Sequence, residues 1–136
     1  MDSLTKEHRS WNMSRIRAKD TKPELLVRSL LHRMGYRFRL NNTVLPGRPD
    51  IVLPRYRVAV FVHGCFWHRH EGCRYAYTPK SRIEFWHSKF DSNIRRDQQV
   101  SEQIKELNWG QLILWECEIK NPETLKRRIN EFFRDR

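Results

Sequence analysis

The chain has 136 residues, with 27 Lys and Arg against 16 Asp and Glu, a net charge of +11 at pH 7 and a pI of about 10.1. This length predicts one domain and excludes two independent cores. The charge favours nucleic acid as partner over a membrane surface, because the basic residues are spread along the chain. The sequence has neither a secretory segment nor an apolar run of about 20 residues, so we expect a soluble intracellular protein.

Residues 1–20 are polar and basic, a composition that predicts an N-terminal arm that becomes ordered on a partner. Residues 21–136 are predicted to form the single domain. Thr21, followed by Glu24 three positions later, has the pattern of a capping box. Apolar residues then recur at helical spacing until Gly35, which predicts the first helix.

Three strands are predicted after this helix. In residues 36–40, apolar residues alternate with arginines, which is the period of a half-buried strand with a basic outer face. A Pro-Gly turn then leads to Asp50 and the short apolar run of residues 51–53. The continuous apolar run of residues 58–62 is mostly β-branched, which is typical of a central strand buried on both faces.

Two more helices and a fourth strand complete the pattern. Residues 81–84 read Ser-Arg-Ile-Glu, a second capping box that predicts the start of a long helix. The predicted buried stripe of this helix consists of Ile83, Phe90, Ile94, Val100, Ile104 and Leu107. Residues 112–115 predict a buried strand, and Asn121 is the predicted cap of the last helix. This order of elements predicts a mixed α/β sandwich.

Three cysteines and a histidine match a tetrahedral zinc site in type and number. Cys65, His70 and Cys73 lie within nine residues, and Cys117 follows the last predicted strand. Zinc prefers thiolate and imidazole, and a structural site usually has four such ligands. The alternative is that the cysteines are small buried apolar residues. Their odd number argues against a disulfide framework.

His63 and His68 lie on either side of Cys65, so each is an alternative to His70 as zinc ligand, although the strand before His63 directs it away from the cysteine loop. Magnesium prefers carboxylate and carbonyl oxygens, which makes Asp50 the candidate metal carboxylate. An imidazole is suited to act as a general base at neutral pH. The alternatives are an aspartate that serves the turn and histidines that are surface residues.

Phe66 and Trp67 lie between these histidines, and Trp86 is in the predicted first turn of the long helix. Apolar side chains of this kind can insert between DNA base steps, where contacts on the distorted duplex offset the cost of unstacking. The alternative is that these rings cover the zinc site. The sequence pattern alone fits both interpretations.

Five short strings are distinctive when they are taken together. They are Leu-Pro-Gly-Arg-Pro-Asp at residues 45–50, Val-His-Gly-Cys-Phe-Trp-His at residues 62–68, Arg-Ile-Glu-Phe-Trp at residues 82–86, residues 93–97, and Trp-Glu-Cys at residues 115–117. With them the chain resembles the very short patch repair endonucleases, bacterial enzymes that nick DNA beside T:G mismatches. The resemblance runs from about Met13 to Cys117, and its most specific string is His-Gly-Cys-Phe-Trp-His.

The resemblance implies a catalytic Mg²⁺ site and a structural Zn²⁺ site. Asp50 would be the magnesium carboxylate, the main-chain carbonyl of Val62 would be a second ligand where the family typically has Thr, and Glu24 would hold metal-bound water. The implied zinc ligands are Cys65, His70, Cys73 and Cys117. Zinc would then hold the loop in place, and magnesium would serve the reaction.

The resemblance also implies roles for the two remaining histidines and for DNA-contacting side chains. His68 would be the general base with Asp97 as its orienting partner, and His63 would act at the phosphate. The implied DNA-binding residues are Phe66, Trp67, Trp86, Met13, Lys89 and Asn93. The three rings would intercalate, the methionine would enter from the opposite groove, and the lysine and asparagine would contact base edges.

The fold that the resemblance implies is the restriction-endonuclease-like α/β core, a central mixed sheet flanked by helices. The implied reaction is Mg²⁺-dependent nicking of one strand 5′ of the thymine of a T:G mismatch, which would begin repair of deaminated 5-methylcytosine. The implied partners are mismatched duplex DNA, a companion cytosine methyltransferase system and a mismatch-repair protein. We expect a monomer in the bacterial cytoplasm, associated with the nucleoid. The alternatives are a related nickase with relaxed mismatch or sequence specificity, and a non-catalytic zinc-stabilised DNA-binding module.

Overall fold

A computed structural model describes residues 21–40 and 43–134. Its elements in chain order are α1 (Lys22–Arg33), β1 (Arg39–Leu40), β2 (Ile51–Leu53), a 3-10 turn (Pro54–Tyr56), β3 (Val58–His63), α2 (Ile83–Glu106), β4 (Gly110–Trp115), α3 (Glu116–Ile119) and α4 (Pro122–Arg134). This is the predicted order with the short helix α3 added. The predicted arm, residues 1–20 with Met13, lies outside the described residues.

The four strands form one mixed sheet in the order β1-β2-β3-β4. β2 is antiparallel to both β1 and β3, whereas β4 is parallel to β3. The parallel pair is joined through α2, as a parallel connection requires a crossover. The predicted mixed α/β class is therefore confirmed, with β3 as a central, almost wholly buried strand.

Helices cover both faces of the sheet. One face packs into the larger core with side chains from α1, α3 and α4, whose buried members are Val27, Leu31, Ile51, Leu53, Val58, Val60, Leu112, Leu114, Ile119, Leu125 and Ile129. The other face is covered by α2, where Ala59 and Phe61 of β3 pack with Ile104. Since side chains alternate along a strand, His63 is on the same face of β3 as Ala59 and Phe61, toward α2. None of the helices in the described ranges is long and apolar enough to cross a membrane.

The predicted caps of the first and last helices are present. The Thr21 hydroxyl accepts a hydrogen bond from the Glu24 N–H at 3.4 Å. The Asn121 Oδ1 accepts from the N–H groups of Glu123 and Thr124 at 3.0 and 3.3 Å. These contacts satisfy backbone donors that a helix leaves free at its N-terminus.

The predicted capping box at the start of α2 is wrong. Arg82 is the N-cap, with φ of 56°, and no side chain caps the helix there. The chain therefore enters α2 through a left-handed residue, a conformation that the Ser-x-x-Glu pattern does not predict. Two members of the predicted buried stripe are also wrong, because Ile83 and Leu107 are 50% and 49% exposed. They lie at the two ends of a helix that is much longer than the strands it covers.

The strand predicted over residues 36–40 is shorter in the structure. Only β1 pairs with β2, through Arg39 opposite Val52 and Leu40 opposite Ile51. Tyr36 instead packs its ring against other aromatic rings, with centroids 5.6 Å from Tyr56 and 4.8 Å from Phe133. Side-chain packing thus replaces strand pairing in the first half of this segment.

The Pro-Gly turn before β2 packs closely against α2. Gly47 has φ of +77°, and a Cβ at this position would lie 2.5 Å from the Val100 side chain. Both features favour glycine, because any other residue is strained there and has no room. The turn therefore fixes the position at which the chain enters β2, one residue after Asp50.

Candidate active site and metal centre

An open cavity of about 720 Å³ lies where the start of β2, the end of β3 and the N-terminus of α1 meet α2. Antiparallel pairing places the start of β2 beside the end of β3. The cavity brings together all the described residues for which the sequence predicted catalytic or magnesium-binding roles, namely Glu24, Asp50, Val62, His63, His68 and Asp97. Positions up to 73 residues apart in the chain, from Glu24 to Asp97, thus line one site.

Asp50 is held at the floor of this cavity by backbone contacts. Its N–H donates to the Val60 carbonyl at 3.1 Å, and its Oδ2 accepts from the Val62 N–H at 2.7 Å. Burial raises the pKa of Asp50 to about 6, and the Glu24 carboxylate adds to this rise, whereas the Val62 hydrogen bond and His68 oppose it. A cation in the cavity would stabilise the ionised form of this carboxyl group.

Glu24 and the Val62 carbonyl are the other candidate oxygen donors near Asp50. Glu24 is buried in the first turn of α1, and its Oε2 lies 3.3 Å from Nη2 of Arg28. The N–H and C=O of one residue point to the same side of an extended strand, so the Val62 carbonyl faces the side on which its N–H meets Asp50. Two carboxylates and a carbonyl are a hard oxygen donor set that fits a divalent cation such as Mg²⁺.

His63 and His68 form a stacked pair next to α2. Their ring centroids are 3.8 Å apart and the planes differ by 7°. Nδ1 of His68 lies 2.7 Å from Oδ2 of Asp97, which comes from α2. Since a carboxylate can only accept, Nδ1 carries the proton of this hydrogen bond, and Nε2 is the basic nitrogen of a neutral His68.

His63 is a neutral, buried imidazole. It is 6% exposed, and within the described ranges its Nδ1 has no hydrogen-bond partner. The pKa of His63 is lowered to about 4, mainly by burial and also by the nearby His68, whereas Asp97 opposes the change. The stacked pair therefore avoids placing two positive charges 3.8 Å apart at neutral pH.

The predicted zinc ligands converge in a second cluster. One ligand atom from each of Cys65, His70, Cys73 and Cys117 lies within 4.8 Å of all the others. Within this cluster, Sγ of Cys117 lies 3.4 Å from Nδ1 of His70. Ligands that bind zinc at about 2.0–2.3 Å lie within about 4 Å of one another, so these soft donors could hold a metal ion with small adjustments. The His70 ring is stacked on Trp115, with centroids 4.2 Å apart.

The structure favours His70 over the other two histidines as the fourth ligand of the cysteine cluster. His63 and His68 belong to the cluster with Asp97, not to the cysteine cluster. Only Cys65 of the three cysteines is buried, whereas Cys73 and Cys117 are partly exposed. Convergence of all three on one histidine favours metal binding over apolar packing.

The predicted intercalating rings form one aromatic cluster at the other side of the loop. The Phe66 centroid lies 5.1 Å from Trp67, 5.5 Å from Trp86 and 5.3 Å from Phe90, all close to edge-to-face. Phe90 is buried, whereas the other three rings are half-buried. These rings pack on one another and on α2, and Trp115 is the ring that stacks on the metal cluster. This arrangement disfavours the interpretation that they cover the zinc site.

Lys89 and Asn93 differ in their availability to a partner. Lys89 is exposed on α2. Asn93 is half-buried, and its Nδ2 donates to the Trp67 carbonyl at 3.1 Å. The predicted contact of Asn93 with a base edge would therefore have to share this amide with the loop that carries the aromatic residues, or release it.

Three further charged side chains line the cavity and had no predicted role in it, namely Arg48, Arg96 and Glu116. Arg48 has φ of 50° in the turn before Asp50. Arg96 directly precedes Asp97, and Glu116 directly precedes Cys117. Their positions in the sequence next to predicted site residues could have suggested that they line the site. Charged residues are so frequent in this chain, however, that such neighbours are not distinctive.

Known proteins are similar to this chain over most of its length. The family model described as DNA mismatch endonuclease Vsr matches residues 1–74. Type II nicking enzyme V.XorIIP of Xanthomonas oryzae pv. oryzae is 46% identical over 128 residues, covering 94% of this chain and 93% of that protein. Type II nicking enzyme V.NmeAIP of Neisseria meningitidis is 40% identical, covering 98% and 95%. DNA mismatch endonuclease Vsr of Escherichia coli is 43% identical, covering 91% and 79%.

The fold agrees with these similarities. The mixed sheet flanked by helices, with a cavity where β2 starts and β3 ends, is the restriction-endonuclease-like core expected from the sequence. The resemblance found in the short strings is confirmed over more than half of the chain by the family model and over nearly all of it by the relatives. The chain therefore belongs to the Vsr family of DNA mismatch endonucleases and is itself a DNA endonuclease.

Proposed function

We propose that this DNA-nicking endonuclease hydrolyses one strand on the 5′ side of the thymine of a T:G mismatch, in a Mg²⁺-dependent reaction that begins very short patch repair of deaminated 5-methylcytosine. The observation that supports this most strongly is the common cavity of Asp50, Glu24 and the His68–Asp97 pair. The relatives, which include a DNA mismatch endonuclease and nicking enzymes, support the same conclusion. A companion cytosine methyltransferase would supply the methylated base.

Asp50, the Val62 carbonyl and Glu24 are the groups that would hold Mg²⁺. When bound, the ion makes a phosphodiester more electrophilic and neutralises the charge that develops on the leaving oxygen. The Val62 N–H fixes the orientation of the Asp50 carboxylate through its 2.7 Å hydrogen bond. Val62 differs from the Thr typical of the family, but a main-chain carbonyl does not depend on the side chain.

His68 is proposed as the general base. Asp97 holds its Nδ1–H, so Nε2 can accept a proton from an attacking water. Asp97 also stabilises the imidazolium that this transfer produces. His63, neutral because burial lowers its pKa, can donate one hydrogen bond to the phosphate without adding positive charge beside His68.

Zinc at Cys65, His70, Cys73 and Cys117 is proposed to hold the loop that carries His68 and the aromatic residues. Phe66, Trp67 and Trp86 form a surface from which rings can insert beside a weakened base pair. A mismatch costs less to unstack than a paired step, so insertion itself contributes selectivity. Met13 is proposed to enter from the opposite groove, and Lys89 and Asn93 to contact base edges.

A nicking assay on duplexes that differ at one base pair tests the proposed function. T:G, T:A and C:G duplexes with the same flanking sequence are incubated with the protein and Mg²⁺, and the nicked strand is mapped on a denaturing gel. We expect nicking only of the thymine strand of the T:G duplex, on its 5′ side. Equal nicking of all three would refute mismatch specificity and favour a relaxed nickase. Binding without nicking would favour the DNA-binding module.

Asp97→Asn should lower the rate of nicking by roughly 10²–10⁴-fold, because an amide can also donate to His68 and so stabilise the wrong tautomer. The variant loses a negative charge, so duplex affinity should not weaken. Single-turnover rates and fluorescence anisotropy measure the two quantities separately. Asp91→Asn, an exposed acid on the same helix, is the matched control. Equal rates for both variants and the wild type would remove Asp97 from the mechanism.

Trp67→Ala should weaken discrimination between T:G and T:A duplexes more than it weakens overall affinity. The ring packs 5.1 Å from Phe66 and 5.7 Å from Trp86, so its removal takes away about one stacking surface, worth roughly 1–3 kcal/mol. The ratio of dissociation constants for the two duplexes, measured at one salt concentration, gives the discrimination. An unchanged ratio would show that Trp67 covers the loop and does not read the mismatch.

A further inference from the structure

Tyr77 is an exposed ring that extends the aromatic cluster of Phe66, Trp67, Trp86 and Phe90. It has no role in the function proposed above. Its ring centroid lies 5.1 Å from that of Phe66, and the residue is 60% exposed. Phe85 extends the same surface, with its centroid 5.1 Å from Trp86 and the residue 43% exposed. A contiguous group of exposed rings on a monomeric protein marks an interaction surface.

Arg69 fixes the segment that carries Tyr77. Its guanidinium donates to the carbonyls of Ala76 and Tyr77 at 2.8 and 2.9 Å. Weaker bonds at 3.3 Å reach the Phe66 carbonyl and the Thr78 hydroxyl. One side chain thus ties the segment after the metal cluster to the residue at the centre of the aromatic cluster.

The position of Arg69 is itself well determined. The residue has φ of 54°, and its Cζ lies 3.9 Å from the ring centroid of Phe90, which is buried on α2. This contact is within the range of a cation–π interaction. With most of its donors used on protein oxygens, Arg69 has little capacity left for a DNA phosphate. It is therefore a positioning residue.

The chemistry around Tyr77 identifies the partner. Lys80 and Arg82 are exposed and follow Tyr77 in the chain, and Cζ of Arg82 lies 4.4 Å from the ring centroid of Phe85 on the same surface. The whole chain carries a net charge of +11. An aromatic ring beside cations matches a nucleic acid, in which phosphates alternate with stacking bases. We propose that Tyr77 is a fourth DNA-contacting ring, stacking on a base or sugar of the duplex next to the Phe66 cluster, and that Arg69 positions it. This deepens the proposed function and rests on it.

The experiment compares Tyr77→Ala with Tyr77→Phe and Tyr75→Ala. Tyr75 is a matched control, because it lies in the same segment but its ring packs 4.4 Å from Nζ of Lys120. Dissociation constants are measured by anisotropy at fixed salt, on the duplex that the wild-type protein nicks best. Tyr77→Ala should bind about 5-fold or more weakly, whereas the other two should stay within about 2-fold of wild type. Wild-type affinity for Tyr77→Ala, or an equal loss for Tyr75→Ala, would overturn the proposal.

Arg69→Lys tests positioning, because lysine keeps the charge but cannot reproduce the planar fork of donors. The variant should weaken binding, and combining it with Tyr77→Ala should cause no loss beyond that of Tyr77→Ala alone. Losses that multiply in the double variant would show a general structural role and overturn the assignment. Metal content and the unfolding midpoint of each variant confirm that it is folded.

Failure of this inference is distinguishable from failure of the proposed function. A wild-type protein that nicks T:G and T:A duplexes equally would refute mismatch specificity, yet the Tyr77 comparison would still be valid on whichever duplex is nicked. Conversely, wild-type DNA binding by Tyr77→Ala would refute the proposed DNA contact of Tyr77. It would not change the interpretation of the nicking assay.

Discussion

Replacing Asp50 with asparagine should reduce nicking by at least about 10³-fold, which corresponds to a loss of about 4 kcal/mol of transition-state stabilisation. Asparagine is nearly isosteric, and its Oδ1 can still accept the hydrogen bond from the Val62 N–H. The substitution therefore removes the charge that would hold Mg²⁺ without removing the contact that holds the side chain. Single-turnover nicking of a T:G duplex at saturating protein measures the effect.

The same substitution should raise the stability of the protein measured in the absence of Mg²⁺. Burial raises the pKa of Asp50 from 3.8 to about 6, so the ionised carboxylate is disfavoured in the folded state. Because the pKa is higher in the folded state, the wild type loses stability as the pH rises from 3.8 to about 6. A neutral asparagine does not suffer this loss. At pH 7.5 without Mg²⁺ and without a chelator that would remove zinc, the unfolding midpoint of Asp50→Asn should exceed that of the wild type by at least about 2 °C. This difference should shrink as the pH falls toward 5.

Duplex binding distinguishes loss of catalysis from loss of fold. Asp50→Asn removes a negative charge, so its affinity for DNA should equal or exceed that of the wild type. Asp91→Asn removes an exposed acid and should leave nicking unchanged. Wild-type nicking by Asp50→Asn would eliminate this residue as the metal carboxylate, whereas loss of both nicking and binding would indicate a misfolded variant.

The fold was predictable wherever local pattern and tertiary packing agree. The cap at Thr21 and the strand of residues 58–62 depend on a few neighbouring residues, and both are present. The start of α2 depends instead on the path of the preceding loop, which enters the helix through Arg82 with positive φ. The first strand is shortened because the ring of Tyr36 packs against Phe133, nearly 100 residues away. Such distant contacts have no local signal.

The Cys/His cluster was predictable from residue type, whereas the geometry of the residues with proposed catalytic roles was not. Cysteine and histidine at short spacing, together with Cys117 after the last strand, predicted the four residues that the structure brings together. Asp50 and His63 line the same cavity because the strands β2 and β3 pair antiparallel, and the sequence pattern does not specify this pairing. The stacking of His63 on His68 depends on how the loop after β3 folds back. It cannot be predicted from the pattern of polar and apolar residues.

Removal of one of the proposed zinc ligands should also have a large effect. His70→Gln should lower the metal content from about one ion per chain to nearly none, and should lower the unfolding midpoint by at least about 10 °C. Binding of structural zinc contributes about 10–16 kcal/mol in small zinc-finger peptides, which is comparable to the whole stability of a domain. Here part of the fold has its own core, so the sheet should remain folded while the loop after β3 loses order.

His87→Gln is the matched control, because His87 is an exposed histidine on α2 outside the cluster. Elemental analysis of the purified proteins gives the metal content, and thermal unfolding followed by circular dichroism gives the midpoint. Full zinc content in His70→Gln would refute the four-ligand site. Full zinc content with a normal midpoint in a variant of His63 or His68 would in turn exclude those histidines as alternative ligands.

Nicking should fall with zinc even though no zinc ligand lines the catalytic cavity. Three of the four ligands lie in the loop that also carries His68 and Phe66, so loss of the ion frees the proposed base from Asp97 and the rings from α2. Positioning of this kind is worth several orders of magnitude in rate, and a displacement of about 1 Å is costly. His70→Gln should therefore lose both nicking and T:G discrimination while retaining salt-sensitive binding to duplex DNA. If a variant without bound metal kept both nicking and T:G discrimination, metal binding by the cysteine cluster would not be needed to position the loop.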